Sequence, residues 1–273
     1  MKKLNMILSC FFACMMIAQI CTAHHHIYGE LLESKADAVV SVNAVMSMEL
    51  RMMGQGEDEE SRVEFSGVLV NESGLVMVPY NSFSGENIKR IFSGMGAGID
   101  VNVSLQDLTV VVDGEEYDGY LVATDSDFDL AFIQLENTEG KTFSYVDLSK
   151  SQSPEIGSTI YYLSRLGEGF DYAPHVREAR ITGTLNRPRQ AYITNIGMAG
   201  LGMPVFNVEG EVVGIATTLQ DPTAEGGGSA GGGMGFGAMF QSMGSSATGQ
   251  SVVLSVDFVL PLIRAAEERA GEE

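Results

Sequence analysis

From residue 38 onward, apolar and polar positions alternate with a period of two in short runs. The first half contains runs over 38–45, 63–71, 75–80, 108–112, 117–124 and 130–135, and the second over 159–164, 175–185, 191–194, 204–208, 211–218 and 251–255. A period of two places every second side chain on one face, which predicts half-buried strands. Asp113-Gly114 and Glu209-Gly210 stand between neighbouring runs. Such pairs suit tight hairpin turns, because those turns require positive φ. Helical spacing is scarce. A short helix or turn is expected over 29–35, and a closing helix capped by Asp257 is expected to run to about Ala270, with Phe258, Leu262 and Ala265 or Ala266 toward the core. The acidic, glycine-containing stretch 54–61 predicts a loop, and the polar stretch 149–154 a linker between halves spanning 24–148 and 149–273. Short, regularly spaced strands without helical periodicity predict an all-β barrel or sandwich.

Two segments depart from this pattern. Lys2 and Lys3 precede an apolar run from Met6 to Ile20, followed by the small residues Cys21-Thr22-Ala23. This has the form of a secretory signal peptide over 1–23, shorter in its apolar run than the roughly 20 residues of a bilayer span. The protein is accordingly expected to be exported, periplasmic or extracellular, with no membrane insertion after cleavage. The second segment, 224–250, is rich in glycine, serine, methionine and phenylalanine, and glycine's backbone entropy opposes its packing alone.

Charge narrows the partners. The chain has 16 basic and 36 acidic side chains, and the leader removes two lysines and no acid, leaving 14 against 36 and a net charge of −22. So acidic a surface repels phosphate backbones and anionic lipid heads, which argues against nucleic acid and membrane surfaces as partners. All three cysteines lie in the leader, at 10, 14 and 21, so no disulfide is expected in the mature chain.

Four stretches carry a family resemblance. They are Leu31-Leu32-Glu33-Ser34-Lys35-Ala36-Asp37-Ala38-Val39-Val40; Ser66-Gly67-Val68-Leu69-Val70-Asn71-Glu72-Ser73-Gly74-Leu75-Val76-Met77-Val78-Pro79-Tyr80-Asn81; Ala123-Thr124-Asp125-Ser126-Asp127-Phe128-Asp129-Leu130-Ala131; and Gly200-Leu201-Gly202-Met203-Pro204 running on to Ile215. In order and spacing they resemble the HtrA (Do-like) branch of trypsin-like serine proteases. The resemblance implies an all-β, trypsin-like double β-barrel with a C-terminal helix, and no PDZ module of the kind that often follows this domain.

The same resemblance places Asn81 in the histidine slot, Asp129 in the aspartate slot and Leu201 in the serine slot. Acyl transfer on this fold needs a hydroxyl or thiol nucleophile and an imidazole base. Leucine and a neutral amide supply neither. A register error does not restore the nucleophile, because no Ser, Cys or Thr occurs from Ile196 through Phe206. The chain is therefore expected to be a pseudoprotease without cofactor, binding a polypeptide or serving as scaffold or regulator. The alternatives are an HtrA-class endopeptidase with residual or atypical activity, and a metal-binding protein. Asn81 is expected to donate to Asp129, since an unpaired buried carboxylate is costly.

Further candidates follow from residue type. Met198, Ala199, Gly200 and Met203 flank the former nucleophile position. Backbone donors near Ala199 to Leu201 are the expected relic of an oxyanion hole. Met234, Phe236, Met239, Phe240 and Met243 form a methionine- and phenylalanine-rich set in the insert, suited to plugging the cleft or to displaying an apolar lure. After cleavage at Ala23, His24, His25 and His26 would present a free amine and a third-position imidazole, a tetragonal donor set for Cu(II) or Ni(II). His175, alone in its neighbourhood, is expected to be a surface or packing residue.

Overall fold

The computed structural model describes residues 27–52, 55–85, 99–187, 189–197, 200–220 and 249–272. A first helix, α1, covers 27–35. Six strands follow: β1 (Val39–Met52), β2 (Gln55–Leu69), β3 (Leu75–Pro79), β4 (Ile99–Val112), β5 (Glu115–Asp125) and β6 (Leu130–Leu135). They close a barrel in the order β1-β2-β3-β6-β5-β4. A second set, β7 (Thr159–Arg165), β8 (Pro174–Leu185), β9 (Ala191–Thr194), β10 (Pro204–Phe206), β11 (Val212–Gln220) and β12 (Gly249–Leu254), closes another in the order β10-β11-β12-β9-β8-β7. The chain ends in α2 (Val256–Ala270). This is the expected all-β double barrel with a C-terminal helix.

Three core clusters explain how the barrels hold together. Val40, Val42, Val76, Val110 and Ile133 fill the first barrel, and Ile160, Tyr162, Ile181, Val205 and Val253 the second. The largest cluster lies between them: Leu75, Met77, Leu130 and Phe132 from one barrel meet Tyr161, Leu163, Met203 and Ile215 from the other. Residues of opposite parity on the same strands thus serve the barrel interior and the interface. α1 also rests on the second barrel, with Tyr28 edge-on to Tyr161 at 5.5 Å. Asp113 and Gly114 have φ of 51° and 79°, the positive pair expected of that hairpin.

Two expectations need correction. Residues 55–61 are strand rather than loop: β1 and β2 pair without interruption to Met52↔Gln55, and β4 accompanies β1 to Met52↔Ile99. Acidic residues fit a strand here because Glu59 and Glu60 are exposed. In α2 the N-cap is Ser255, whose side chain accepts from the Asp257 N–H, and the buried stripe is Val256, Val259, Ile263 and Ala266. Leu262 packs against the inter-barrel core as expected, whereas Phe258 lies beside the stripe. Phe258 is 38% exposed, with its ring 6.0 Å from that of Phe128.

Candidate functional site

The site forms where β3 leaves the first barrel. Pro79 pairs with Leu130, so the residues just beyond each strand, Tyr80-Asn81 and Asp129, are brought together. The Tyr80 N–H donates to the Asp129 carbonyl at 3.1 Å, and the Asn81 N–H to its Oδ1 at 2.7 Å. The Asn81 side chain also favours the ionised form of the same carboxyl. The expected contact is present, with its short hydrogen bond made by the backbone. Asp129 has φ +56°, a left-handed conformation that aspartate tolerates better than most residues.

Asp129 is only 2% exposed. Burial raises its pKa from 3.8 to about 6, opposed by the hydrogen bonds from Asn81. No imidazole or cation is among the causes. Among the described residues the carboxyl is thus held by the amide of Asn81, which does not furnish a group that could carry a proton.

Leu201, which the resemblance sets in the serine slot, lies on a turn from the second barrel. The Met203 N–H points to the Gly200 carbonyl at 3.4 Å, and the Gly202 N–H donates to Ala216 at 2.7 Å. Gly202 has φ +75°, and a Cβ there would lie 2.7 Å from both N and Cδ of Pro79. The turn therefore abuts the residue two before Asn81, which brings the three triad-equivalent segments into one place. Leu201 is 5% exposed and Met203 fully buried. Gly200 is backed by the Tyr162 ring, and its N–H donates to Gly197 at 3.0 Å. That bond removes Gly200 from the expected oxyanion donors.

Met198 and Ala199 lie outside the described residues, as do Met234, Phe236, Met239, Phe240, Met243 and His24 to His26. Among the described residues there is no group of three or more His, Cys, Asp or Glu side chains placed to hold a metal.

Sequence reasoning missed two residues around this site. The Thr217 hydroxyl, fully buried, donates to the Phe128 carbonyl, and Arg189 stacks over the Phe128 ring at 4.1 Å. These contacts pin the turn that carries Asp129 to the second barrel. No local pattern announces them, because their partners are about 60 and 90 residues apart in sequence. Beyond Ala216, β11 is paired only with β12 among the described residues. By strand alternation from Ala216, the N–H and C=O of Thr218 face the open side.

A hydroxyl and an imidazole do meet elsewhere. Ser164 Oγ lies 3.1 Å from His175 Nε2, across the β7–β8 pair. The Arg177 Nε–H donates to that same nitrogen at 3.1 Å, so Nε2 serves as an acceptor there, whereas Nδ1 is buried without a partner among the described residues. Burial first, and Arg177 second, lower the pKa of His175. Ser164 is 1% exposed and its strand neighbour Leu163 belongs to the inter-barrel core. His175 is therefore a packing residue with polar partners on both neighbouring positions.

Comparison with known proteins agrees with this architecture. The family model described as "Trypsin-like peptidase domain" matches residues 65–215. A "Probable periplasmic serine endoprotease DegP-like" of Rhizobium meliloti is 30% identical over 42% of this chain and 23% of its own length. A protein of the same description from Halomonas elongata is 27% identical over 60% of this chain and 31% of its own. The chain thus spans about a quarter to a third of the length of these curated relatives. Among solved structures, the MamO protease domain of Magnetospirillum magneticum superposes with a TM-score of 0.49 at 17% identity, covering 84% of this chain and 96% of that one.

Proposed function

The chain belongs to the trypsin-like peptidase domain family, HtrA-like within it, and on that premise we propose that it is an exported, non-catalytic member that binds polypeptide through surfaces of the former substrate cleft. The observation that carries this reading is the buried Leu201 on the turn where the nucleophile belongs, opposite an Asp129 whose partner is Asn81. Covalent acyl transfer needs a hydroxyl and a base at those two places. Export is supported by the leader-like residues 1–23 and by the periplasmic description of the relatives.

Binding is supported by the side of β11 beyond Ala216 that has no strand partner among the described residues. An extended segment laid there can exchange backbone hydrogen bonds with Thr218, which requires no catalytic group. The endopeptidase alternative has one candidate pair among the described residues, Ser164 and His175. Its hydroxyl is sealed from solvent and Arg177 competes for the base's lone pair.

Casein tests both halves. The expected result is no turnover, no labelling by a fluorophosphonate, and slowed amide exchange at Thr218 when casein is added. Turnover that disappears in Asp129→Ala would overturn the non-catalytic reading. Unchanged exchange at Thr218 would overturn binding along β11.

A further inference from the structure

The longest departure from a compact barrel is a three-stranded wing. β2, β1 and β4 run on together past the barrel, paired through Met52↔Gln55 on one side of β1 and Met52↔Ile99 on the other. β4 gains its second neighbour only at Thr109, where pairing with Asp118 begins. From Ile99 to Leu108 its outer side has no strand partner and no backbone hydrogen bond among the described residues.

The ladder fixes which groups face that side. The Val70 N–H donates to the Leu75 carbonyl, so even-numbered β2 residues turn toward β3 and odd-numbered ones toward β1. Transferred through the uninterrupted β1–β2 register, this turns even-numbered β1 residues to β2 and odd-numbered ones to β4. Ser47↔Ser104 and Glu49↔Asn102 are then the bonded pairs, and the N–H groups of Val101, Val103 and Leu105 point outward.

The two outer edges of the wing differ. That of β2 carries exposed Glu59, Glu60, Arg62 and Glu64, charges that discourage an added strand. That of β4 presents Asn102, Ser104 and Gln106 on its exposed face, with Val103 and Leu105 packed toward the first-barrel core. This edge has Asp100 and Asp107 near its ends but only neutral polar residues between them and no Lys or Pro, which leaves it open to pairing. Its surroundings are acidic: the wing, 46–64 and 99–107, has eight carboxylate residues against two arginines, and Arg51 is already engaged with Glu49 at 2.8 Å. A second copy would bring the same charge to the same edge and be repelled.

We propose that the outer edge of β4, between Ile99 and Leu108, accepts a lysine- and arginine-bearing extended polypeptide as an added strand. Backbone hydrogen bonds to Val101, Val103 and Leu105 supply the register, and the acidic wing selects the charge. This surface is separate from the β11 side of the cleft, so either can fail without the other.

The probe is a fluorescein-labelled peptide of alternating lysine and threonine, with an alternating glutamate and threonine peptide as its mate, added to the full mature chain. The lysine peptide is expected to bind, more weakly as salt rises, and the glutamate peptide not to bind. Amide exchange is expected to slow at Val101, Val103 and Leu105. Ser104→Lys, an exposed change that leaves the ladder intact, is expected to weaken binding about tenfold. Absence of binding, equal binding of both peptides, protection at Glu60 and Arg62 or at Thr218 instead, or an unaffected Ser104→Lys variant would each overturn the assignment.

Discussion

At the scale of single residues, Asp129 shows how a buried carboxylate is held where the strands of the first barrel end. Its pKa of about 6, against 3.8 for an unperturbed aspartate, means that the native state holds this proton more tightly than the unfolded chain does. Stability from this group is therefore greatest below 3.8 and falls as pH rises through 6, by about 3 kcal/mol in all. Asp129→Asn keeps an acceptor for the Asn81 N–H and a residue tolerant of positive φ. We expect it to be more stable than the wild type at pH 7.5, and to lose the downward slope between pH 4 and 6 in urea titrations. A less stable variant with the slope intact would show that the buried carboxylate is not what burdens the fold. His175 acts in the opposite sense. Its lowered pKa gives stability that is present above 6.5 and lost as pH falls, so His175→Gln is expected to flatten the acid side of the same curve. That Asn81 and Leu201 supply neither base nor nucleophile was legible in the sequence, since identity alone decides whether a side chain can attack or accept a proton. The direction of these pKa shifts was not, because it depends on burial and on partners 11 to 48 positions away.

At the scale of elements, turns were the most readable features and strand lengths the least. Asp113-Gly114 announced its hairpin because few residues adopt positive φ cheaply. Gly202 carries a second constraint that only packing reveals. Gly114 faces open space, whereas a Cβ on Gly202 would meet the Pro79 backbone at 2.7 Å. Gly114→Ala is thus expected to cost only conformational strain, about 1 kcal/mol. Gly202→Ala adds a clash that no side-chain rotation relieves and is expected to cost at least ~2 kcal/mol more. Equal urea midpoints for the two variants would contradict this. The wing was misread because Gly56 and the acids after it have the composition of a loop. Pairing to β1 on one side is enough to hold them as a strand, and the charges of Glu59 and Glu60 are stabilised by solvent rather than by a core.

At the scale of the whole molecule, the two barrels are joined by polar ties as well as by the shared apolar core. Arg165, at the end of β7, donates through its guanidinium to the carbonyls of Ala36, Val39 and Tyr172, and its backbone N–H donates to Ser66 Oγ at 2.9 Å. Arg165→Met would leave buried carbonyls without donors, costing about 3 kcal/mol. Calorimetry is expected to show a midpoint lower by roughly 10 °C, and an unchanged midpoint would mean that the apolar interface alone holds the barrels in place. The sequence by itself determined the all-β class, the strand count in each half, the family likeness and the absence of a serine or histidine in the triad slots. These follow from local periodicity, from turn stereochemistry and from what each side chain can do as an acid, base or nucleophile. Only the tertiary structure decided that Leu201 is buried, that Asn81 holds Asp129 through its backbone, that Thr217, Arg189 and Arg165 tie the barrels together, and that β4 runs out with one edge open. Each of these depends on which distant strands become neighbours, and closure of the two barrels sets that, not the order of residues along any one of them.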